Sequence, residues 1–246
     1  MTSPASKPAL TKAQSALLAF LFGSQASTIA APLTGWIPAS PRYAAFVEKY
    51  KDKVRKKLRV TREKEAAADL LYELQIPYWL LQDKRFDLAY EPYAAGGTRG
   101  PDYSVTFRAN FTFNLEITHV RGLRPVQPEG AIDLRLVDVL CGKLRQMLAG
   151  MANVLFVVAT SAMLDQLDLV VHLTWIKQKA EGKDPEFFAR QRFSGASEFF
   201  KNYQRLSALV LHAPTGPHRQ LLWVNPQARF SLPDAVKAAL QRSLAS

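Results

Sequence analysis

The chain contains a single cysteine, Cys141, in 246 residues. One thiol cannot form an internal disulfide, which excludes a disulfide-stabilised scaffold. Cys141 lies within an apolar helical pattern, and we predict a buried core thiol. The four histidines lack the spacing of a zinc site: His119, His172, His212 and His218.

Long hydrophobic runs are also missing. No stretch of about 18 apolar residues occurs, which argues against a membrane span. A short apolar run, residues 16–22, follows Lys7 and Lys12. It is compatible with a signal peptide and equally with the buried side of a helix that begins near Thr11. We predict a cytoplasmic protein with no membrane partner, and the oligomeric state stays open.

Positive charge is in excess and is unevenly distributed. The net charge is +11, and residues 42–64 hold ten basic against three acidic side chains. Such a density predicts contact with nucleic-acid phosphates, because each neutralised phosphate releases counterions. A solvated helix face, an acidic protein partner or an anionic membrane surface would explain the same charge. The side chains predicted to bind nucleic acid are Lys53, Arg55, Lys56, Lys57, Arg59 and Arg62.

Hydrophobic periodicity predicts an N-terminal helical extension over residues 1–60. Within it, residues 27–42 contain three prolines and a glycine and are predicted as an irregular link. A single basic helix is predicted to follow over residues 43–58. Thr61 is then predicted to cap a helix that runs to Leu74 and ends near Pro77. A short extended segment is predicted over residues 76–81.

Residues 61–246 are predicted to form a single α/β domain with its core at residues 61–160. Strands are predicted at 86–90 and 111–120, with a further strand that begins at Asp102. A helix at 132–147 and a nearly all-apolar strand at 153–160 follow. The last third alternates helices and strands without a linker, and is predicted to extend the same sheet. The fold class is therefore α/β, with a mixed central sheet flanked by helices and with N-terminal helical and C-terminal α/β extensions.

Two carboxylates are placed on neighbouring strands of this core. Asp102 follows Gly100 and Pro101 at the start of one strand, and Glu116 lies in the middle of the next. Because strand side chains alternate, Asp102, Ser104 and Thr106 share one face. Two carboxylates of this kind suit Mg²⁺, which takes oxygen ligands and keeps several waters.

This pattern resembles the PD-(D/E)XK nuclease superfamily, whose signature is a Pro-Asp, a spacer, and an acidic residue followed by any residue and Lys. The order of helix, three strands, helix and buried strand over residues 61–160 is also similar. The resemblance implies a restriction-endonuclease-like core that cleaves phosphodiester bonds with Mg²⁺ or Mn²⁺, with DNA favoured over RNA. It further implies that Asp102 and Glu116 bind the metal, that Ile117 offers its carbonyl, and that Glu63 is the acid of the first helix.

Glu63 also has structural explanations. The helical pattern places it on the buried side, where an ion pair with a core arginine or a capping role near the helix terminus accounts for it equally well.

Thr118 stands where the motif has its lysine, and threonine cannot supply a positive charge. Three side chains are candidates for a replacement: His119, on the opposite strand face; Arg121, at the strand exit; and Lys143, on the flank of the following helix. Lys143 is the favoured one. Two hypotheses therefore stay open, a metal-dependent nuclease and a degenerate member that binds nucleic acid or a protein without cleaving.

Overall fold

The computed structural model describes residues 10–23, 27–61, 63–93, 100–121, 132–159, 169–213 and 220–244. The chain forms two compact units, Met1–Leu88 and Ala89–Ser246. This division lies inside a strand, whereas the predicted boundary between residues 60 and 61 lies at the end of a helix. None of the described helices is long and apolar enough to cross a membrane.

The described part of the N-terminal unit contains five helices. They are α1 (Lys12–Phe22), α2 (Ala30–Ala39), α3 (Pro41–Lys49), α4 (Lys51–Val60) and α5 (Lys64–Leu80). Helix α1 begins directly after Thr11, where one of the two explanations of the apolar run placed a helix. Thr11 caps it, because its side chain accepts the Gln14 amide while the Gln14 side chain accepts the Thr11 amide.

Three predictions of secondary structure in this unit are wrong. The predicted link at 27–42 is largely α2, because Pro32 lies in its first turn, where a proline is tolerated, and Leu33 and Ile37 are buried. The predicted single basic helix is two helices, α3 and α4, separated at Tyr50. The helix predicted to end near Pro77 continues to Leu80, so the extended segment is absent at 76–81.

The roles predicted for Thr61 and Glu63 at the start of α5 are also not those that the structure shows. Thr61 closes α4, since its hydroxyl donates to the Lys57 carbonyl at 2.8 Å. Glu63 occupies the N-cap position of α5, makes no side-chain capping bond, and is exposed. The prediction that Glu63 lies on the buried side of a helix is therefore wrong, because α5 begins only at Lys64.

One six-stranded sheet has the strand order β1–β6. Its strands are β1 (Phe86–Tyr90), β2 (Tyr103–Phe107), β3 (Phe111–His119), β4 (Ala152–Val158), β5 (Leu206–His212) and β6 (Gln220–Val224). The pairs β2–β3 and β5–β6 are antiparallel, whereas β3–β4 and β4–β5 are parallel. The predicted mixed sheet is confirmed, and so is its extension through the last third of the chain.

Five helices are described in the second unit: α6 (Leu134–Leu144), α7 (Leu169–Glu181), α8 (Pro185–Gln191), α9 (Ala196–Tyr203) and α10 (Asp234–Leu244). Every residue of β4 and β5 is buried, as a strand covered on both faces requires. One hydrophobic cluster joins α6–α9 to one face of these strands through Val137, Leu140, Leu155, Val157 and Leu209.

A buried polar row crosses the start of the parallel strands. Asn114 of β3 donates to the Asn153 side chain of β4 at 3.0 Å, and the Asn153 amide donates to the Ser207 hydroxyl of β5 at 3.0 Å. The Asn153 side-chain amide also donates to the carbonyls of Leu148, Met151 and Arg205. Asn153 therefore satisfies buried groups from β3 and from the segments that precede β4 and β5.

We expect Asn153→Leu to destabilise the protein by about 3 kcal/mol, because buried donors and acceptors around it lose their partner. Chemical denaturation gives the free energy of unfolding. Gln146→Leu is the matched control, since Gln146 is exposed and its loss should cost less than about 0.5 kcal/mol. Equal effects of the two substitutions would contradict this role of Asn153.

The Cys141 thiol is buried, as predicted, within the core of α6. Burial, reinforced by the nearby Asp138 carboxylate, raises the pKa of Cys141 to about 12. Because the thiolate is the reactive species, we expect a thiol reagent at neutral pH to label the native protein far more slowly than the unfolded protein. Equal labelling rates with and without denaturant would contradict the buried position.

Candidate functional site

The pairing of β2 with β3 brings the two predicted carboxylates together. Tyr103 lies opposite Leu115, and continuing this antiparallel register by one residue places Asp102 opposite Glu116. Directly opposed residues point to the same face, with Cβ atoms about 4.5–5.5 Å apart. Asp102 and Glu116 therefore share one face of the sheet.

This face of the β2–β3 hairpin is polar throughout. Its side chains are those of Asp102 just before β2, of Ser104 and Thr106 on β2, and of Thr112, Asn114, Glu116 and Thr118 on β3. The opposite face carries buried apolar side chains, among them Tyr103, Val105, Phe113 and Leu115. Such segregation is expected of an antiparallel pair with one face on a core. The two carboxylates thus lie on the polar face of the hairpin.

Asp102 is fixed at both its backbone and its side chain. Its carbonyl accepts the Glu91 amide at 2.8 Å, and its Oδ2 accepts the Ile117 amide at 2.7 Å. Gly100 is needed just before it, because a Cβ at that position would lie 2.7 Å from the Tyr93 Cβ. These contacts hold the Pro-Asp segment against the middle of β3.

Lys143 reaches the same face from α6. Its Nζ donates to Glu116 Oε1 at 2.5 Å, and the two side chains are 17% and 12% exposed. Helix α6 is oriented at its start by Asp133, whose carboxylate accepts the amides of Arg135 and Leu136. Of the three replacements weighed for the missing motif lysine, Lys143 is the one whose amine contacts Glu116.

The donor set fits a hard divalent cation better than a softer one. Two carboxylates supply oxygen ligands, and Mg²⁺ commonly binds through one or two carboxylates while it keeps several waters. In the described part of the chain, no group of three or more His, Cys, Asp and Glu side chains is placed to hold a metal. A zinc-type centre is therefore not the arrangement seen among these residues.

The other predicted residues around the motif have mixed outcomes. Thr118 is half-buried and lies beside Val157, two residues beyond Glu116 on the same face. His119 falls on the opposite face by strand alternation, as expected, and Arg121 is exposed beyond the end of β3. Ile117 contacts Asp102 through its amide, so a role for its carbonyl stays a prediction. Glu63 belongs to the N-terminal unit, whereas Asp102 and Glu116 belong to the second.

The side chains that were predicted to bind nucleic acid have different surroundings. Lys57 forms an ion pair with Glu73 of α5, and its positive charge is therefore compensated within the N-terminal unit. Arg55 packs on the Phe20 ring of α1, and the Lys53 ammonium lies 5.9 Å from the centre of the Tyr50 ring. Lys56 and Arg59 are exposed, and Arg62 lies outside the described residues.

Tyr93 and Asn114 are parts of the site that the sequence patterns did not indicate. The Tyr93 hydroxyl donates to Asn114 Oδ1 at 3.4 Å, and Asn114 lies two residues before Glu116 on the polar face. For Asn114, the signal that could have been used is a polar amide in the middle of a predicted strand, because such a group needs a hydrogen-bond partner when it is buried. Tyr93 precedes a glycine-containing segment, and no periodicity places it.

Comparison of the chain with protein-family models, with curated proteins and with solved structures yields no match.

We expect the Glu116–Lys143 pair to show strong energetic coupling, because both side chains are largely buried. Lys143→Met should destabilise the protein by about 2–3 kcal/mol, since it leaves the Glu116 carboxylate uncompensated. The double variant Glu116→Met/Lys143→Met should recover much of that loss. Denaturation of both single variants and the double variant measures the coupling energy.

The exposed pair Lys177–Glu181, separated by 3.4 Å on α7, is the matched control. Its coupling should be about 0.5 kcal/mol or less, as for other surface pairs one helical turn apart. A coupling at Glu116–Lys143 no larger than this value would contradict a stable contact between the two side chains.

Proposed function

We propose that the protein is a cytoplasmic metal-dependent nuclease-like enzyme that hydrolyses phosphodiester bonds of nucleic acid. The observation that carries the proposal is the meeting of Asp102, Glu116 and Lys143 on one polar face. Two acidic side chains and a lysine are the charged groups of the PD-(D/E)XK motif that the sequence resembles. The chain supplies its lysine from α6 in place of the motif position at Thr118.

Each side chain has a distinct chemical task in this proposal. Asp102 and Glu116 would hold Mg²⁺ or Mn²⁺, and the bound ion would activate water and neutralise phosphate charge. The Ile117 amide orients Asp102 by its bond to Oδ2. Lys143 holds Glu116 in place, and it would supply positive charge to a phosphate oxygen that becomes more negative in the transition state.

The polar face itself determines which substrates suit the site. Between the carboxylates and the hairpin tip it offers hydroxyls of Ser104, Thr106 and Thr112, which can donate to phosphate oxygens or sugar hydroxyls. Neither lysine nor arginine occurs at these strand positions. Affinity for the phosphate backbone must therefore come from other parts of the chain, and the basic segment at 42–64 is the richest source.

We expect the purified chain to cleave DNA or RNA only when Mg²⁺ or Mn²⁺ is added. Asp102→Asn, Glu116→Gln and Lys143→Met should each lower the cleavage rate at least about 100-fold, because each removes a charged group from the reacting centre. Gel assays on single-stranded, duplex and branched substrates measure the rate. Asp234→Asn is the matched control, since Asp234 pairs with Lys237 at the start of α10 and should leave activity unchanged.

Metal binding has a readout separate from cleavage. Mn²⁺ should raise the melting temperature of the wild-type protein and of Asp234→Asn, but not of Asp102→Asn. Cleavage in EDTA, or full activity of Asp102→Asn, would contradict the proposed enzyme.

A second function, binding of nucleic acid without cleavage, is favoured by Thr118 and by the engagement of the Lys143 amine with Glu116. Salt-sensitive binding without cleavage in any metal, and without a Mn²⁺-dependent rise in melting temperature, would support this function over the enzyme.

A further inference from the structure

The N-terminal unit presents an aromatic ring between two cations at the seam of α1 and α4. The Lys51 ammonium lies 5.4 Å and the Arg55 guanidinium carbon 4.3 Å from the centre of the Phe20 ring. Phe20 is only half-buried, whereas its neighbours Leu17 and Leu21 are buried. The ring is therefore only partly buried, and Arg55 is the cation nearest to it, because the Lys51 ammonium also pairs with Glu48 at 2.6 Å.

A second ring of the same kind lies at the junction of α3 and α4. Tyr50 is half-buried, and the ammonium groups of Lys49 and Lys53 lie 5.1 Å and 5.9 Å from its ring centre. Lys49 and Lys53 approach it from the end of α3 and from the first turn of α4, respectively. Both rings are thus half-buried with cations beside them, and the Tyr50 ring also packs against Phe46.

Further cations extend this surface along α4. Lys53, Lys56 and Arg59 follow one another at three-residue steps, over about 9 Å of helix. Lys56 and Arg59 are exposed, unlike Lys57, which contacts Glu73. We call the surface formed by Phe20, Tyr50, Lys53, Lys56 and Arg59 the aromatic-basic surface.

We infer that the aromatic-basic surface binds single-stranded nucleic acid without a metal. Cations along a helix bind phosphates of any nucleic acid, but aromatic rings add affinity only where bases are unpaired and free to stack. An acidic peptide would use the cations and leave the rings without a role. The inference rests on the nucleic-acid partner of the proposed function, and it does not depend on cleavage.

The test is fluorescence anisotropy with the full-length chain in EDTA, with labelled oligothymidylate and a duplex of equal length as probes. The single strand should bind more tightly than the duplex. Phe20→Leu and Tyr50→Leu, which keep apolar bulk but remove the ring, should each weaken single-strand binding about tenfold. Phe230→Leu is the matched control, because it removes an exposed ring from the second unit.

The salt dependence of the affinity distinguishes the contribution of the rings from that of the cations. The double variant Lys56→Ala/Arg59→Ala should reduce the slope of log affinity against log salt by about 1.4, the value for two phosphate contacts on a single strand. The ring variants should leave that slope unchanged. The double variant alters only exposed side chains and should fold. It therefore still tests the inference if a ring variant does not fold.

Asp102→Asn should bind oligothymidylate as the wild type does. Loss of cleavage in every metal with single-strand binding retained would contradict the proposed enzyme and leave this inference standing. Cleavage without metal-free single-strand binding would overturn the inference alone. Tighter binding to the duplex, or ring variants that bind as well as Phe230→Leu, would also overturn it.

Discussion

The register of β3 is the constraint on which the rest of the second unit depends. This strand pairs with antiparallel β2 along one edge and with parallel β4 along the other. Because side chains alternate along a strand, a slip of one residue would exchange its two faces. Glu116 and Asn114 would then lie in the apolar layer of Tyr103 and Val105, and Phe113 and Leu115 would face the polar side. The burial of Leu115 and the position of Glu116 are consequences of the same register.

The ion pair of Lys143 with Glu116 lies at the border between an apolar part and a polar part of the same sheet face. On the β4 side, Leu155 and Val157 are covered by the α6–α9 cluster, and on the β2 side the same face carries hydroxyls and Asp102. A lysine stem can run along the apolar layer while its ammonium reaches the carboxylate at the border. The ammonium thus brings a positive charge to the face that carries both carboxylates.

Much of the second unit was predictable because its signals are local and strong. The bounds of β1 agree with the predicted strand at 86–90, and the all-apolar run at β4 indicated a strand buried on both faces. The N-terminal unit was less predictable, because proline and glycine at 32, 35 and 38 indicated a break where the burial of Leu33 and Ile37 favours a helix. Glu63 was misplaced for a related reason, since Thr61 serves the helix before it instead of the one after.

In the proposed function, the two surfaces meet different physical requirements. Strong attraction to phosphates requires many cations, whereas a two-carboxylate centre is itself negative until a metal binds. The polar face of β2 and β3 has neither lysine nor arginine along it, and Lys143 is engaged by Glu116. In the proposed function, exposed cations on α4 would therefore supply affinity for phosphates without competing for the carboxylates of Asp102 and Glu116.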